Sequence, residues 1–110
     1  MIYTIDNPKL VAYFFNFKDQ ETFTGVVKDK YNNIAYFLNG QYHRENEPAI
    51  IWSDGDEHWY LNGKKHRTDG PAIEHANGDK EWCLNGKKYG CNNDFTNESW
   101  IRFIKLQLLK

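Results

Sequence analysis

The residues of this chain best equipped for chemistry are four histidines, two cysteines and a scatter of carboxylates. His43 and His66 hold equivalent places in a repeating pattern, which sets them two strands apart, too far to share one tetrahedral zinc ion. His58 and His75 fall at different strand positions, and no cysteine or carboxylate spacing completes a ligand set around them. No metal and no cofactor is expected. Cys83 with His58 is a conceivable nucleophile–base dyad. Cys83, however, takes the place of Tyr60 one repeat later, and a free cysteine commonly packs as a small hydrophobe. Cys83 and Cys91 fit neither a Cys-x-x-Cys metal knuckle nor a disulfide-dense scaffold, and both read as reduced thiols. Gly-x-Ser-x-Gly, His-Glu-x-x-His and glycine-rich phosphate-loop motifs are absent. Catalytic residues are therefore not expected. Asp54, Asp56, Glu57, Asp79 and Glu81 gather at one set of turns, where turn chemistry and solubility account for them.

Two other groupings point to binding. Arg44, Lys64, Lys65, His66, Arg67, Lys87 and Lys88 recur after each Asn-Gly pair. They should line one rim of a sheet, with the acidic turns on the other, so the molecule is polarised although its net charge is −1. Such a rim can meet phosphates or an acidic protein surface. It can equally be a solvated hairpin edge whose lysines discourage aggregation; Glu45, Glu47 and Asp69 dilute its field and favour that alternative. Phe37, Tyr42, Trp52 and Tyr60 form the second grouping. They make a binding platform if no second layer covers them, or part of the core if the sheet curls.

What positions these residues is an internal repeat. Leu-Asn-Gly occurs at 38–40, 61–63 and 84–86, a spacing of 23 each time. Tyr36-Phe37, Trp59-Tyr60 and Trp82-Cys83 precede these tripeptides. His43-Arg44 aligns with His66-Arg67, Pro48-Ala49-Ile50 with Pro71-Ala72-Ile73, and Asp54-Gly55-Asp56 with Asn77-Gly78-Asp79. Upstream, Tyr13-Phe14-Phe15-Asn16, Val26-Val27 and Asn32-Asn33 keep the same offset. The chain reads as one domain: a degenerate unit at 11–33, units at 34–56 and 57–79, and a truncated unit at 80–91.

Asn-Gly and Asp-Gly tolerate positive φ and mark tight turns, with short aromatic or β-branched runs between them. The expected fold is mostly β: an antiparallel meander of repeated hairpins in a single-layer sheet. Period-2 alternation puts Tyr36, Trp59 and Trp82 on one face with Leu38, Leu61 and Leu84, in a column stepping about 9.5 Å per repeat. Pro71 belongs at a strand start. Tyr3 and Ile5 alternate and suggest an added edge strand. Trp100, Ile104 and Leu108 recur at helical spacing, widened by Ile101 and Phe103, predicting an amphipathic helix over about 97–109 that packs on the Trp/Leu face and caps the array. Thr96 or Asn97 suits its N-cap, with Glu98 in the first turn.

Aromatic residues are 16% of the 110, which also favours strands. The N-terminus lacks a basic signal-peptide region, and no segment approaches the ~20 apolar residues of a membrane span. A cytoplasmic protein, in a bacterium or an infected host, is expected.

The string Trp59-Tyr60-Leu61-Asn62-Gly63-Lys64-Lys65-His66-Arg67-Thr68-Asp69-Gly70-Pro71-Ala72 resembles the MORN repeat family in its divergent form. The resemblance extends over about three quarters of the chain. The unit at 80 departs from it with Tyr89-Gly90 in place of His-Arg, and the unit at 34 with Asn46-Glu47 in place of Asp69-Gly70, as capping repeats do. The resemblance implies an interaction scaffold, some relatives binding lipid headgroups, and a kinship with short bacterial, phage and large-virus proteins and with antitoxin or immunity components. The expected function is protein–protein interaction, such as phage- or mobile-element-encoded inhibition of a host defence factor. The alternatives are binding of nucleic acid or anionic lipid headgroups through the basic rim, and a small hydrolase. The open sheet edges allow a monomer or a homodimer.

Overall fold

The structure, a computed structural model, describes residues 2–5 and 23–108. The motif Tyr13-Phe14-Phe15-Asn16 lies outside them. The strands are β1 (Ile2–Ile5), β2 (Gly25–Asp29), β3 (Ile34–Leu38), β4 (Gln41–Tyr42), β5 (Ile50–Ile51), β6 (Glu57–His58), β7 (Tyr60–Leu61), β8 (Lys64–Lys65), β9 (Ile73–Glu74), β10 (Lys80–Leu84) and β11 (Lys87–Cys91). A 3-10 turn (Asn92–Asp94) leads into α1 (Asn97–Leu108). The main sheet runs β1-β2-β3-β5-β6-β9-β10-β11, with β4 also on β3, while β7 and β8 form a separate ribbon. Every pairing is antiparallel except that of the edge strand β1, which runs parallel to β2. The fold is the expected antiparallel meander closed by a C-terminal helix.

The turns explain the regularity. Asn39-Gly40, Asn62-Gly63 and Asn85-Gly86 each carry two successive positive φ angles, 50 and 79, 51 and 78, 49 and 87°. That is a type I′ turn, whose twist matches the flanking strands. A second turn recurs at 29–33, 52–56 and 75–79. Its first N–H donates to the fifth carbonyl at 3.1, 2.9 and 2.8 Å. Asn32 (φ 69°) stands there where later repeats use Gly55 and Gly78.

Neighbouring repeats are then tied at both rims. Gly63 N–H donates to Tyr42 O, and Gly86 N–H to Lys65 O, each at 2.9 Å. Asn62 N–H donates to His43 Nδ1 and Asn85 N–H to His66 Nδ1, both at 3.0 Å. At the other rim, Ser53 N–H donates to Asn33 Oδ1 and Ala76 N–H to Asp56 Oδ1, at 2.7 and 2.6 Å. These bonds satisfy turn amides that a single hairpin leaves unpaired.

The two faces are covered differently from expectation. Val27, Ala35, Phe37 and Ile50 form one core cluster, with Phe23, Tyr42, Trp52 and Tyr60 packed against it, while Trp82 and Trp100 are buried elsewhere. The sheet curls to achieve this. The arm 57–61 splits at Trp59: β6 stays in the main sheet while β7 turns away to pair with β8. The next arm carries a register shift between Trp82 and Cys83 at the same place. Such irregularities increase local twist.

On the other face, each ring is roofed within its own repeat. The Arg44 guanidinium lies 3.9 Å over the Tyr36 ring and that of Arg67 lies 3.8 Å over Trp59. In the third unit Gly90 stands in the arginine's place, and Trp82 packs instead on Phe95 and Trp100, centroids 5.6 Å away. The expectation that α1 covers the whole Trp/Leu column is therefore corrected. The helix caps only its last member, because arginines already cover the earlier ones. Leu38, Leu61 and Leu84 are half-buried. Trp100 is fully buried and its Nε1–H donates to Arg67 O at 2.9 Å. Thr96 is the N-cap: its Oγ1 accepts from Ser99 N–H while Ser99 Oγ accepts from Thr96 N–H. Ile101, expected in the buried stripe, is exposed, as is Leu106.

Two glycines separate strain from packing. Gly78 has φ 97° and open space where a Cβ would stand, whereas at Gly70 a Cβ would sit 2.7 Å from Arg67 Cζ. Alanine at either position should lower stability by about 1–2 kcal/mol in urea melts. In an Arg67→Ala background the cost of Gly70→Ala should vanish and that of Gly78→Ala persist.

Candidate functional site

The loops 43–48 and 66–71 are equivalent connections in successive repeats, and they wall a groove of about 330 Å³ floored by Trp59 and Leu61. Glu45, Asn46, Thr68 and Asp69 line its mouth, and all four are exposed. Both arginines are pinned within it. Arg44 donates to Glu47 Oε2 at 2.6 Å and to Pro48 O. Arg67 donates to Asp69 Oδ1 at 2.8 Å, Glu74 Oε1 at 3.0 Å and Pro71 O at 3.2 Å. A guanidinium stacked on an indole and held by two carboxylates is a rigid, amphipathic surface element.

This pinning reorganises the expected basic rim. Arg44 and Arg67 are compensated, and Lys65 lies 4.0 Å from Glu81. His66 accepts at Nδ1, and burial pushes its pKa below the ordinary value, which favours the neutral form this acceptor role needs. Lys64, Lys87 and Lys88 are left exposed as the cationic part of the rim. The expected aromatic platform is not an open face: Phe37 is buried in the core, and Tyr42, Trp52 and Tyr60 are half-buried against it. Phe37 is 4% exposed. Tyr42 sits 4.9 Å from Phe37 and 5.2 Å from Tyr60 between ring centroids, and burial raises both tyrosine hydroxyls above their usual pKa. Trp52 packs on the same cluster. Cys83 is fully buried, its thiol pushed upward by desolvation and the Glu81 charge, which suits packing rather than nucleophilic chemistry. Both cysteines are free thiols.

A cluster that spacing alone did not reveal lies at the opposite rim. In the β6–β9 ladder His58 faces Ile73 and Glu57 faces Glu74. Continuing that register sets Asp56, at the end of its turn, opposite His75. Period 2 puts His58 on the same face as Asp56. One donor atom from each of Asp56, His58 and His75 lies within 4.8 Å of the others. His75 Nδ1 is 3.1 Å from Asp56 Oδ2, and its Nε2 is 3.7 Å from Glu81 Oε2. The His58 ring meets His75 edge-on at 6.1 Å and Trp52 at 6.3 Å. A shallow cavity of about 360 Å³ opens there, lined by Asn33, Trp52, Ser53, Asp54, Asp56, His58 and His75. The signal that would have found the cluster is the cross-strand register, which follows from aligning the turns at 52–56 and 75–79.

Its electrostatics are set by the same contacts. The Ala76 N–H and then His75 hold the Asp56 carboxyl below its usual range. The hydrogen bond to Asp56 raises His75, while burial, reinforced by the His75 charge, lowers His58. No family model, curated protein or solved structure matches the chain. Among the described residues, no helix is long and apolar enough to cross a membrane.

The pKa values of His75 and His58 should be displaced in opposite directions. In NMR pH titrations His75 should change above the ordinary histidine value of 6.5, and His58 and His66 below theirs. Asp56→Asn should bring His75 down. Because its folded pKa is raised, His75 adds stability that is present below 6.5 and lost as pH rises through the folded value. Asp56, with a lowered pKa, adds stability above 3.8 that is lost on further acidification.

Proposed function

We propose that the chain is a protein-interaction module of MORN-like type, binding its partner across the groove between successive repeats. One observation carries this: an aromatic–arginine stack recurs on one face in consecutive units, and the second stack is flanked by loops of mixed charge. Tryptophan and arginine held rigid in a polar surround are the residue types that dominate interface energetics, and a surface already ordered loses little entropy on docking. With Arg44 and Arg67 neutralised by neighbouring carboxylates, an acidic polymer meets Lys64, Lys87 and Lys88 along this rim, so a protein surface of mixed charge is the better match. The resemblance to short repeat proteins of phages and immunity systems suggests an inhibitory or neutralising role toward that partner.

The exposed trio Lys64, Lys87 and Lys88 favours one other reading, an anionic ligand held along the rim.

Immobilised chain should retain a stoichiometric protein from lysate of the cells in which it occurs. Glu45→Arg/Thr68→Arg, which changes the groove mouth, should release that protein without moving the melting temperature by more than a few degrees. Retention should change little between about 50 and 200 mM salt. A partner held equally by the groove variant would overturn the assignment. A steep salt loss abolished by Lys64→Glu/Lys87→Glu/Lys88→Glu would transfer it to the rim.

A further inference from the structure

The repeats supply their own control for the histidine cluster. One unit upstream, Asn33, Ala35 and Trp52 occupy the places of Asp56, His58 and His75. The backbone pairing there is equivalent: Ile50 pairs with Ala35 as Ile73 pairs with His58. The Asn33 side chain accepts from Ser53 N–H as Asp56 accepts from Ala76 N–H. An alanine and a tryptophan therefore satisfy this junction structurally, and the fold does not require two imidazoles at the next one. Glu81, in the register place of His58 one unit later, lies 3.7 Å from His75 Nε2, the ring nitrogen turned away from Asp56, where it can orient the imidazole from outside the donor set.

We propose that Asp56, His58 and His75 form a binding site for a divalent transition metal that joins the unit at 34–56 to the unit at 57–79. Two imidazoles with a carboxylate form the nitrogen–oxygen donor set of zinc sites, whereas calcium and magnesium take oxygen alone. Tetrahedral zinc with bonds of ~2.0–2.2 Å needs donors about 3.3–3.6 Å apart. The present spread of up to 4.8 Å closes by side-chain rotation, since all three residues are half-buried beside an open cavity rather than locked in the core. The His75–Asp56 hydrogen bond gives way to two bonds to one ion. Because Asp56 and His58 flank one side of the β6–β9 ladder and His75 the other, the ion adds a cross-strand tie where each ladder strand is only two residues long.

The test uses the full chain stripped with EDTA. Calorimetric titration with zinc chloride should give one ion per chain, and saturating zinc should raise the melting temperature by several degrees, while magnesium and calcium do not. Cobalt(II) should give visible d–d bands without thiolate charge transfer, which separates this site from Cys83 and Cys91. His58→Ala/His75→Trp installs the upstream residues. It should melt in EDTA within a few degrees of the parent and lose the zinc response, and His58→Gln should lose most of the affinity. No zinc response in the parent, an unchanged response in these variants, or a thiolate band with cobalt would overturn the proposal.

Discussion

The structure depends on hydrogen bonds between turns of successive repeats. A type I′ turn presents backbone amides outward, and a lone two-strand ribbon as short as β7–β8 cannot persist in water. Here the glycine amide of each of the second and third turns is taken by a carbonyl of the preceding hairpin, and the asparagine amide of the same turns by a histidine Nδ1. The acceptor role explains why histidine sits there: its bonded nitrogen must be unprotonated, and burial of His66 favours its neutral form. Asn33 and Asp56 do the same for amides at the opposite rim. Each repeat is thus completed by its predecessor, as in other quasi-one-dimensional arrays.

An array built this way must end. Gly90 removes the arginine that would roof Trp82, and the uncovered indole becomes the docking point for α1. Trp100 then stacks at 13° on Phe103 and reaches back to the carbonyl of Arg67, in the unit before. Capping is a substitution of one cover for another at the same ring.

The same substitution logic separates structural from available side chains. Arg44, His66 and Arg67 look cationic and accessible in the sequence, but their donors or acceptors are committed to the repeat itself. Asp56, His58 and His75 look unrelated, yet they converge across one face of a ladder whose upstream counterpart manages without histidine.

The repeat, its turns, the meander and the terminal helix were legible because their causes are local. Positive φ at Asn-Gly is a property of those residues, and helical spacing of Trp100 and Ile104 is a property of one segment. Which face of the sheet becomes core was not legible: Phe37 and Tyr36 are adjacent aromatics, and only the bend at Trp59 and its equivalents, together with the arginine roofs, decides between them. The histidine cluster was hidden for a related reason. Asp56 and His75 are 19 residues apart, and they become neighbours only through the pairing of β6 with β9. Sequence alone determined what each turn and segment can adopt, because dihedral preference and periodicity are written residue by residue. Tertiary structure decided burial and the meeting of distant side chains, because strand register and sheet curl are properties of pairs of segments.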